Sequence, residues 1–285
     1  MNSLKMNDPD RVFTWPTTSR FTEIWKGRRE IRNWWWVFPI AALIHAQMVA
    51  GWDRPRCFGK APLRVTLRSG HRISCRANEI FQIVEVFIAS DYEDPEISYP
   101  EARTVLDVGA NIGVATIWFS EHCPLARIFA IEPSSETSER LLRNINSNGL
   151  GDRVTVLTVA MGEGGRALHL VFGEHSGHSH TDSEPHHDSQ IVWSADLKVI
   201  LEIVGGHVDV MKLDCEGAEY GIVLGANSQT LSQIDNIVGE YHGPDLSAQA
   251  RLFSHLEDAG FRVSHQGPSQ PTVEVGTFSA VRVAT

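Results

Sequence analysis

From residue 103 onward, short apolar runs alternate with segments in which apolar residues recur every three or four positions. The first pattern is typical of buried β-strands and the second of amphipathic helices. Strands are predicted at 104–108, 127–131, 154–159, 167–172, 208–213, 234–241, 261–265 and 273–283. Helices are predicted near 112–119, 141–145, 218–224 and 246–259. These repeated strand–helix–strand units predict an α/β fold with a largely parallel sheet and helices on both faces.

The first 75 residues follow a different pattern. Alternating residues at 63–68 and 71–76 flank Ser69-Gly70 and predict a β-hairpin, and a helix is expected over 80–88. The apolar segment 34–44 is too short to span a membrane and contains Pro39, so it predicts a buried or lid-forming helix. A dimer contact and a membrane contact are the alternatives. We divide the chain into an N-terminal extension, 1–75, and a main domain, 76–285.

One segment interrupts the main domain. Residues 173–190 hold five histidines among Ser, Asp, Glu and Gly, and their spacing matches no fixed metal site. A mobile loop is the expectation, with a substrate lid and a metal site as alternatives.

Charge divides the chain in the same way. The 285 residues carry a net charge of −10, but residues 1–60 contribute +5 and hold six of the eight tryptophans. The acidic residues 61–285 argue against broad binding of nucleic acid, whereas the basic N-terminal residues 1–60 are suited to an acidic surface. The four cysteines show no metal-binding spacing, and the polar start lacks the apolar core of a signal peptide. We therefore expect a reduced cytoplasmic protein without stable membrane insertion.

The strongest chemical signal follows the first strand of the main domain, in Val-Leu-Asp-Val-Gly-Ala-Asn-Ile-Gly at 105–113. A buried strand that enters a glycine turn and then a helix lets a ligand approach the helix N-terminus closely. The dinucleotide pattern G-x-G-x-x-G fails here, because position 111 is Asn and position 114 is Val. Binding of a pyrophosphate is therefore poorly supported.

An acidic residue ends the next strand. Glu132, followed by Pro133, lies 19 residues after Gly113, where a carboxylate can accept both hydroxyls of a ribose. It would repel a 2′-phosphate, which leaves NAD and S-adenosylmethionine as ligands. Asp107 and Asp214 should lie near Glu132, and such carboxylates suit the cationic S-adenosylmethionine better than a pyrophosphate. The alternative is that Glu132 only caps the following helix.

Two further strands end in titratable residues. Period-two alternation places Lys212 and Asp214 on one side of a strand, so the two charges can offset each other. Glu216 and Glu219 follow at a helix start, where acids often only complement the helix dipole. Glu240 and His242 share a face of the next strand and leave the sheet at its ligand edge.

Together these stretches, at 105–113, 131–133, 211–219 and 239–242, resemble the FkbM-type methyltransferases, and the similarity extends over roughly residues 76–283. The Lys-Leu-Asp-Cys-Glu-Gly-Ala-Glu stretch at 212–219 is its most specific part. The resemblance implies a Rossmann-like class I methyltransferase with a seven-stranded sheet whose last strand is antiparallel. It also implies S-adenosylmethionine as methyl donor and, commonly, O-methylation of a small metabolite or sugar.

The resemblance also implies positions for donor binding. Asp107, Gly109, Asn111 and Gly113 would line the methionine part, Glu132 the ribose, Ala160 and Met161 the adenine, and Asp214 the donor amine or the reacting centre.

For catalysis, we expect protein residues mainly to align the acceptor with the donor and to exclude water. His242 is the expected base because the usual pKa of histidine is about 6.5, with Glu240 orienting it. No metal site is predicted, although Asp214, Glu240 and His242 could hold Mg²⁺ against a diol. We predict an O-methyltransferase acting on a hydroxyl or carboxyl group of a small secondary-metabolite or sugar-like molecule. The alternatives are an N-methyltransferase and a non-catalytic donor-binding partner subunit. The N-terminal extension is expected to form a lid or a homodimer contact.

Overall fold

A computed structural model describes residues 26–49, 60–172, 180–182, 184, 189–243, 246–266 and 275–283, without the side chains of 43–49. Cys57, Val273 and most of the His-rich segment 173–190 therefore lie outside the described residues. The strands are β1 Pro62–Thr66, β2 Arg72–Arg76, β3 Thr104–Val108, β4 Arg127–Ile131, β5 Val154–Leu157, β6 Ala160–Met161, β7 Ala167–Val171, β8 His180–Asp182, β9 Gln190–Ala195, β10 Val208–Leu213, β11 Ile234–His242, β12 Phe261–Gln266 and β13 Val275–Arg282.

The helices are α1 Trp34–Val49, α2 Ile80–Val84, α3 Val114–His122, α4 Ser135–Ser147, α5 Leu197–Val204, α6 Glu219–Leu224, α7 Ser228–Leu231 and α8 Leu246–Asp258. Short 3-10 turns lie at Gly27–Arg29, Ala77–Glu79 and Tyr99–Glu101, and a π-helical turn at Glu85–Ala89 extends α2. Among the described residues, no helix combines the length and the apolar character needed to cross a membrane.

The main sheet has seven strands in the order β12-β13-β11-β10-β3-β4-β5. Strands β11, β10, β3, β4 and β5 pair in parallel, and β13 runs antiparallel between β11 and β12. This is the sheet of a Rossmann-like class I methyltransferase, so the predicted fold class and the antiparallel last strand are confirmed.

The sheet separates two hydrophobic cores, because alternate residues of β3 point to opposite faces. Val105 belongs to one core, with residues of α3 and α4. Leu106 belongs to the other, with residues of α5, α6 and α8. Helices therefore cover both faces, as the sequence predicted. Local signals set their ends: Ser134 accepts a hydrogen bond from the Thr137 N–H at the start of α4.

The N-terminal hairpin and helix are confirmed, and both pack onto the first core. Strands β1 and β2 pair antiparallel, and Ile31 forms an isolated bridge with Leu67 beside them. Trp34 and Val37 of α1 are buried in the same core as Val105. Pro39 lies inside α1 without ending it.

A second, four-stranded sheet has the order β6-β9-β7-β8, which the sequence analysis did not predict. Strand β8, His180–Asp182, falls within the segment expected to be a loop, so that expectation is wrong for these residues. They form a strand because the free edge of β7 pairs with them: His169 faces Asp182 and Val171 faces His180.

Candidate active site

The chemistry-bearing residues meet where β3, β4, β10 and β11 end, at the carboxyl edge of the main sheet. Asp107 of β3 pairs with Lys212 of β10, and Val108 pairs with Ile131 of β4. Gly239 of β11 pairs with Leu213. Open α/β sheets bind their ligands at this edge, so the predicted residues are brought together by the parallel register.

The glycine turn after β3 is as tight as predicted. Gly109 has φ of 76°, and a Cβ built on it would lie 1.8 Å from the backbone oxygen of Asp214. The N–H groups of Gly109 and Ala110 donate to the oxygen of Ile131 at 3.0 and 2.9 Å. Gly113, with φ of 90°, opens α3 against Leu141. Only glycine fits at 109, because the backbones of two strand ends touch there.

Glu132 faces this turn. Its Oε2 accepts a hydrogen bond from the Asn111 N–H at 3.1 Å, and its Oε1 accepts one from the Ser134 N–H at 2.9 Å. Burial raises the pKa of Glu132 to about 7, although these two N–H groups and Lys212 lower it. Glu132 therefore joins the glycine turn to the start of α4, and each carboxylate oxygen keeps a second lone pair for another donor.

Lys212 is the buried cation of the site. Its Nζ lies 3.4 Å from both Asp107 Oδ1 and Asp214 Oδ2 and donates to the oxygen of Gly109 at 2.9 Å. Burial alone would lower the pKa of Lys212, but the two carboxylates raise it, so it stays charged. The predicted offset of Lys212 and Asp214 is confirmed, and Asp107 shares the same cation.

Two buried oxygens remain beside the turn. Among the residues that the structure describes, Asn111 Oδ1 has no hydrogen-bond partner, and Asp107 Oδ1 has none besides its ion pair with Lys212. The other Asp107 oxygen accepts a hydrogen bond from the Thr116 hydroxyl at 2.5 Å. Buried acceptors without a donor are costly unless a ligand supplies one.

Tyr92 is a site residue that the sequence analysis assigned no role. Its hydroxyl donates to Asp214 Oδ2 at 2.9 Å, and Lys212 Nζ lies 5.5 Å from the centroid of its ring. Burial alone would raise the pKa of Asp214, but Lys212, His242 and this hydrogen bond lower it below its usual value. No local pattern points to Tyr92, because 122 positions separate it from Asp214.

His242 lies among three glutamates. Its Nδ1 is 3.2 Å from Glu219 Oε1, whereas its Nε2 is 3.7 Å from Glu240 and 3.8 Å from Glu216. Glu219 is fully buried and also accepts from the N–H groups of Cys215, at 2.7 Å, and Gly217, at 2.9 Å. The expected pairing of His242 with an acid is therefore corrected: Glu219, rather than Glu240, is at hydrogen-bond distance and orients the ring.

This setting also changes the expected titration of His242. Burial lowers the pKa of His242, but the hydrogen bond and charge of Glu219, with Glu216 and Asp214, raise it to about 10. The expectation of a pKa near 6.5 is wrong here, since the ring is cationic at neutral pH. Burial raises the pKa of Glu216 to about 8 and raises that of Glu240 well above its usual value.

One family model decides what kind of protein this is. Residues 107–263, more than half of the chain, match the model described as the methyltransferase FkbM domain. The chain belongs to the FkbM methyltransferase family. It is therefore a methyltransferase, and membership implies S-adenosylmethionine as the methyl donor.

Named relatives of this FkbM methyltransferase are distant. Methyltransferase 1 of Beauveria bassiana is 25% identical over 212 residues, which cover 65% of this chain and 81% of that protein. AMB antimetabolite synthetase AmbE of Pseudomonas aeruginosa is 25% identical over 249 residues, 71% of this chain but only 12% of that protein.

A solved structure, an O-methyltransferase family protein from Burkholderia thailandensis, covers 86% of this chain and 72% of its own at 14% identity and a TM-score of 0.44. At that score the fold assignment rests on the strand order and the family match.

The FkbM methyltransferase also brings together the three residues considered for Mg²⁺. Ligand atoms of Asp214, Glu240 and His242 lie within 4.8 Å of one another. Lys212 lies 3.4 Å from Asp214 and His242 lies 3.7 Å from Glu240, so each of these carboxyl groups already faces a cation. Ala160 and Met161 form β6, and Met161 packs in the same core as Ile131.

Proposed function

We propose that this FkbM methyltransferase transfers the methyl group of S-adenosylmethionine to a hydroxyl of a small secondary-metabolite-like or sugar-like molecule. The observation that carries the proposal is the position of Glu240. Its carboxyl, with a raised pKa, lies 3.7 Å from His242 Nε2 at the edge of the sheet that holds the glycine turn. In its ionised form this carboxylate can accept the proton of an acceptor hydroxyl within hydrogen-bond reach.

The residues at the glycine turn fit the donor. Asn111 Oδ1, which has no hydrogen-bond partner, and Asp107 Oδ1, which faces Lys212, are suited to N–H and O–H donors of a ligand, and Gly109 and Gly113 keep the turn compact. Glu132, with Pro133 after it, has lone pairs for the ribose hydroxyls. Ala160 and Met161 are proposed at the adenine and Asp214 at the donor amine. When bound, S-adenosylmethionine supplies an electrophilic methyl group.

The acceptor side is assigned to the cluster on β11. Glu240 accepts the proton that the acceptor hydroxyl loses as its oxygen bonds to the methyl carbon, and the bond from that carbon to sulfur breaks. The His242 cation, oriented by Glu219, lowers the pKa of Glu240 against the raising effect of burial. Asp214, held by Lys212 and Tyr92, stays ionised beside them.

An amine acceptor is the second candidate, and one observation favours it. The carboxyl groups of Glu216 and Glu240 lie 3.8 and 3.7 Å from His242 Nε2. Their oxygens can accept hydrogen bonds from the N–H groups of an amine. Mass spectrometry of the methylated product distinguishes the two acceptors.

Donor use is tested by titration calorimetry with S-adenosylhomocysteine and with NAD. We expect binding of S-adenosylhomocysteine alone. Tight binding of NAD alone would overturn the proposal. Turnover of labelled donor against metabolite extracts, with and without a chelator, then identifies the acceptor and any need for a metal.

The base is tested with Glu240→Gln. An amide cannot take the acceptor proton, so we expect kcat to fall by about 10²- to 10⁴-fold while affinity for S-adenosylhomocysteine is unchanged. The matched control is Glu202→Gln, which changes an exposed glutamate on α5. Equal kcat for the two variants would show that Glu240 is not the base.

A further inference from the structure

The N-terminal part of the structure carries a strong positive charge that methyl transfer does not use. The described residues in 26–49 and 60–76, defined here as the N-terminal basic surface, contain nine Lys and Arg residues and one Glu. Their net charge of +8 contrasts with the acidic remainder of the chain. A positively charged surface of this kind attracts a negatively charged partner.

These charges belong to one continuous unit. The Arg68 N–H donates to the oxygen of Glu30 at 2.7 Å, and the Arg32 N–H donates to the oxygen of Thr66 at 2.7 Å. The segment before α1 is thereby fastened along β1. Arg64 and Arg72 are exposed on the outer face of the hairpin, since Val65 and Ile73 on its inner face are buried.

An apolar outer face adjoins the charges. Trp35 is 80% exposed, although Trp34 and Val37 on the other side of α1 are buried. Pro39 is exposed one turn further along, and the exposed Arg32 lies in the turn immediately before α1. Residues 34–42 contain no polar side chain. Exposed tryptophan beside arginine is typical of proteins that lie in the headgroup region of a bilayer.

We propose that the N-terminal basic surface docks this methyltransferase on a membrane that carries anionic headgroups. Arg29 and Arg32 meet the headgroup phosphates, and Trp35 enters the interface beside them. A symmetric homodimer through this surface is disfavoured, because it would place two positively charged surfaces against each other. An acidic protein or a nucleic acid would complement the positive charge but would leave the apolar face of α1 without an apolar partner. The proposal is independent of the acceptor and of the base.

The test uses sedimentation of the full chain with vesicles. We expect binding to phosphatidylcholine vesicles that contain phosphatidylserine, little binding to phosphatidylcholine alone, and loss of binding at high salt. Arg29→Glu with Arg32→Glu should weaken binding by about tenfold or more, since each basic residue near an anionic surface strengthens the attraction. Trp35→Ala should weaken it as well, because binding strength scales with the apolar area buried.

The matched control reverses two other exposed arginines, Arg143→Glu with Arg251→Glu, which changes the net charge by the same amount. Thermal unfolding shows that each variant is folded. Equal losses in the two double variants would overturn the proposal, because total charge would then decide binding. Retention by heparin without sedimentation on anionic vesicles would also overturn it. So would a dimer that Arg29→Glu with Arg32→Glu dissociates.

Discussion

The imidazole of His242 shows how neighbours decide what a side chain can do. Its two nitrogens contact different acids: Nδ1 faces Glu219 and Nε2 faces Glu216 and Glu240. Glu219 is in turn held by two backbone N–H groups, so it cannot turn away from the ring. The ring is thus held as a cation beside Glu240, and Glu219 is the residue that positions it.

Removing the charge of Glu219 should therefore lower the pKa of His242. In Glu219→Gln we expect the pKa to fall from about 10 towards the usual value of histidine, because the largest raising influence is lost. Nuclear magnetic resonance titration of the ring measures the shift. Glu139→Gln, an exposed change on α4, is the control. An unchanged pKa would show that Glu219 does not set the charge of His242.

The same variant should change how stability depends on pH. The pKa of His242 in the folded protein lies above its unfolded value of about 6.5, so protonation of the ring stabilises the fold. That stabilisation is complete below about pH 6.5 and is lost as the pH rises through about 10. In that interval the wild-type chain should lose more free energy of unfolding than Glu219→Gln does.

At the scale of elements, α4 is tied to the N-terminal hairpin by a buried ion pair. Arg140 donates hydrogen bonds from Nη1 and Nη2 to the two carboxylate oxygens of Glu79, whose side chain is 1% exposed. Glu79 also accepts from the Arg76 N–H at the end of β2. Asn144, one turn further along α4, bonds both the N–H and the oxygen of Ser74. Helix α4 thus covers the edge of β2.

Breaking this pair should destabilise the protein. Arg140→Met leaves the buried carboxylate of Glu79 without its cation, and we expect a loss of about 3–5 kcal/mol in the free energy of unfolding. Urea denaturation measures it. Arg143→Met, on the same helix, breaks an exposed pair with Glu139 and should cost about 0.5 kcal/mol or less. Similar losses in both variants would mean that burial of the pair does not matter.

At the scale of the whole molecule, the N-terminal unit and the main sheet share one core. Ile31, Val37 and Ile73 belong to the same buried cluster as Val105 and Ile117. The basic N-terminal unit and the acidic main domain therefore differ in charge but pack together in one core.

A change in the N-terminal unit should accordingly destabilise the entire protein. Ile31 is fully buried, so Ile31→Ala should cost about 2–5 kcal/mol and leave a single unfolding transition. Denaturation followed by both fluorescence and circular dichroism checks this. Trp35→Ala, at an exposed position of α1, should leave the free energy of unfolding almost unchanged. Two separate transitions in Ile31→Ala would show that the N-terminal unit unfolds by itself.

The sequence by itself determined the parallel core, the glycine turn and the acids at the strand ends. These depend on local properties: a two-residue period places Lys212 beside Asp214, and only glycine permits the approach at 109. The antiparallel last strand was implied by the family resemblance of the sequence motifs. Local pattern was sufficient where the residue type, or its place in a strand or turn, fixes the structure.

Only the tertiary structure decided which acid orients His242, what holds Asp214 and how the segment around His180 folds. Tyr92 contacts Asp214 across 122 positions of the chain, and Glu219 contacts His242 from the start of α6. Strand β8 forms because it pairs with the free edge of β7. The charge of His242 likewise depends on burial and on acids from two elements. Distances across the fold and the loss of solvent on burial are properties of the packed chain, so no local pattern specifies them.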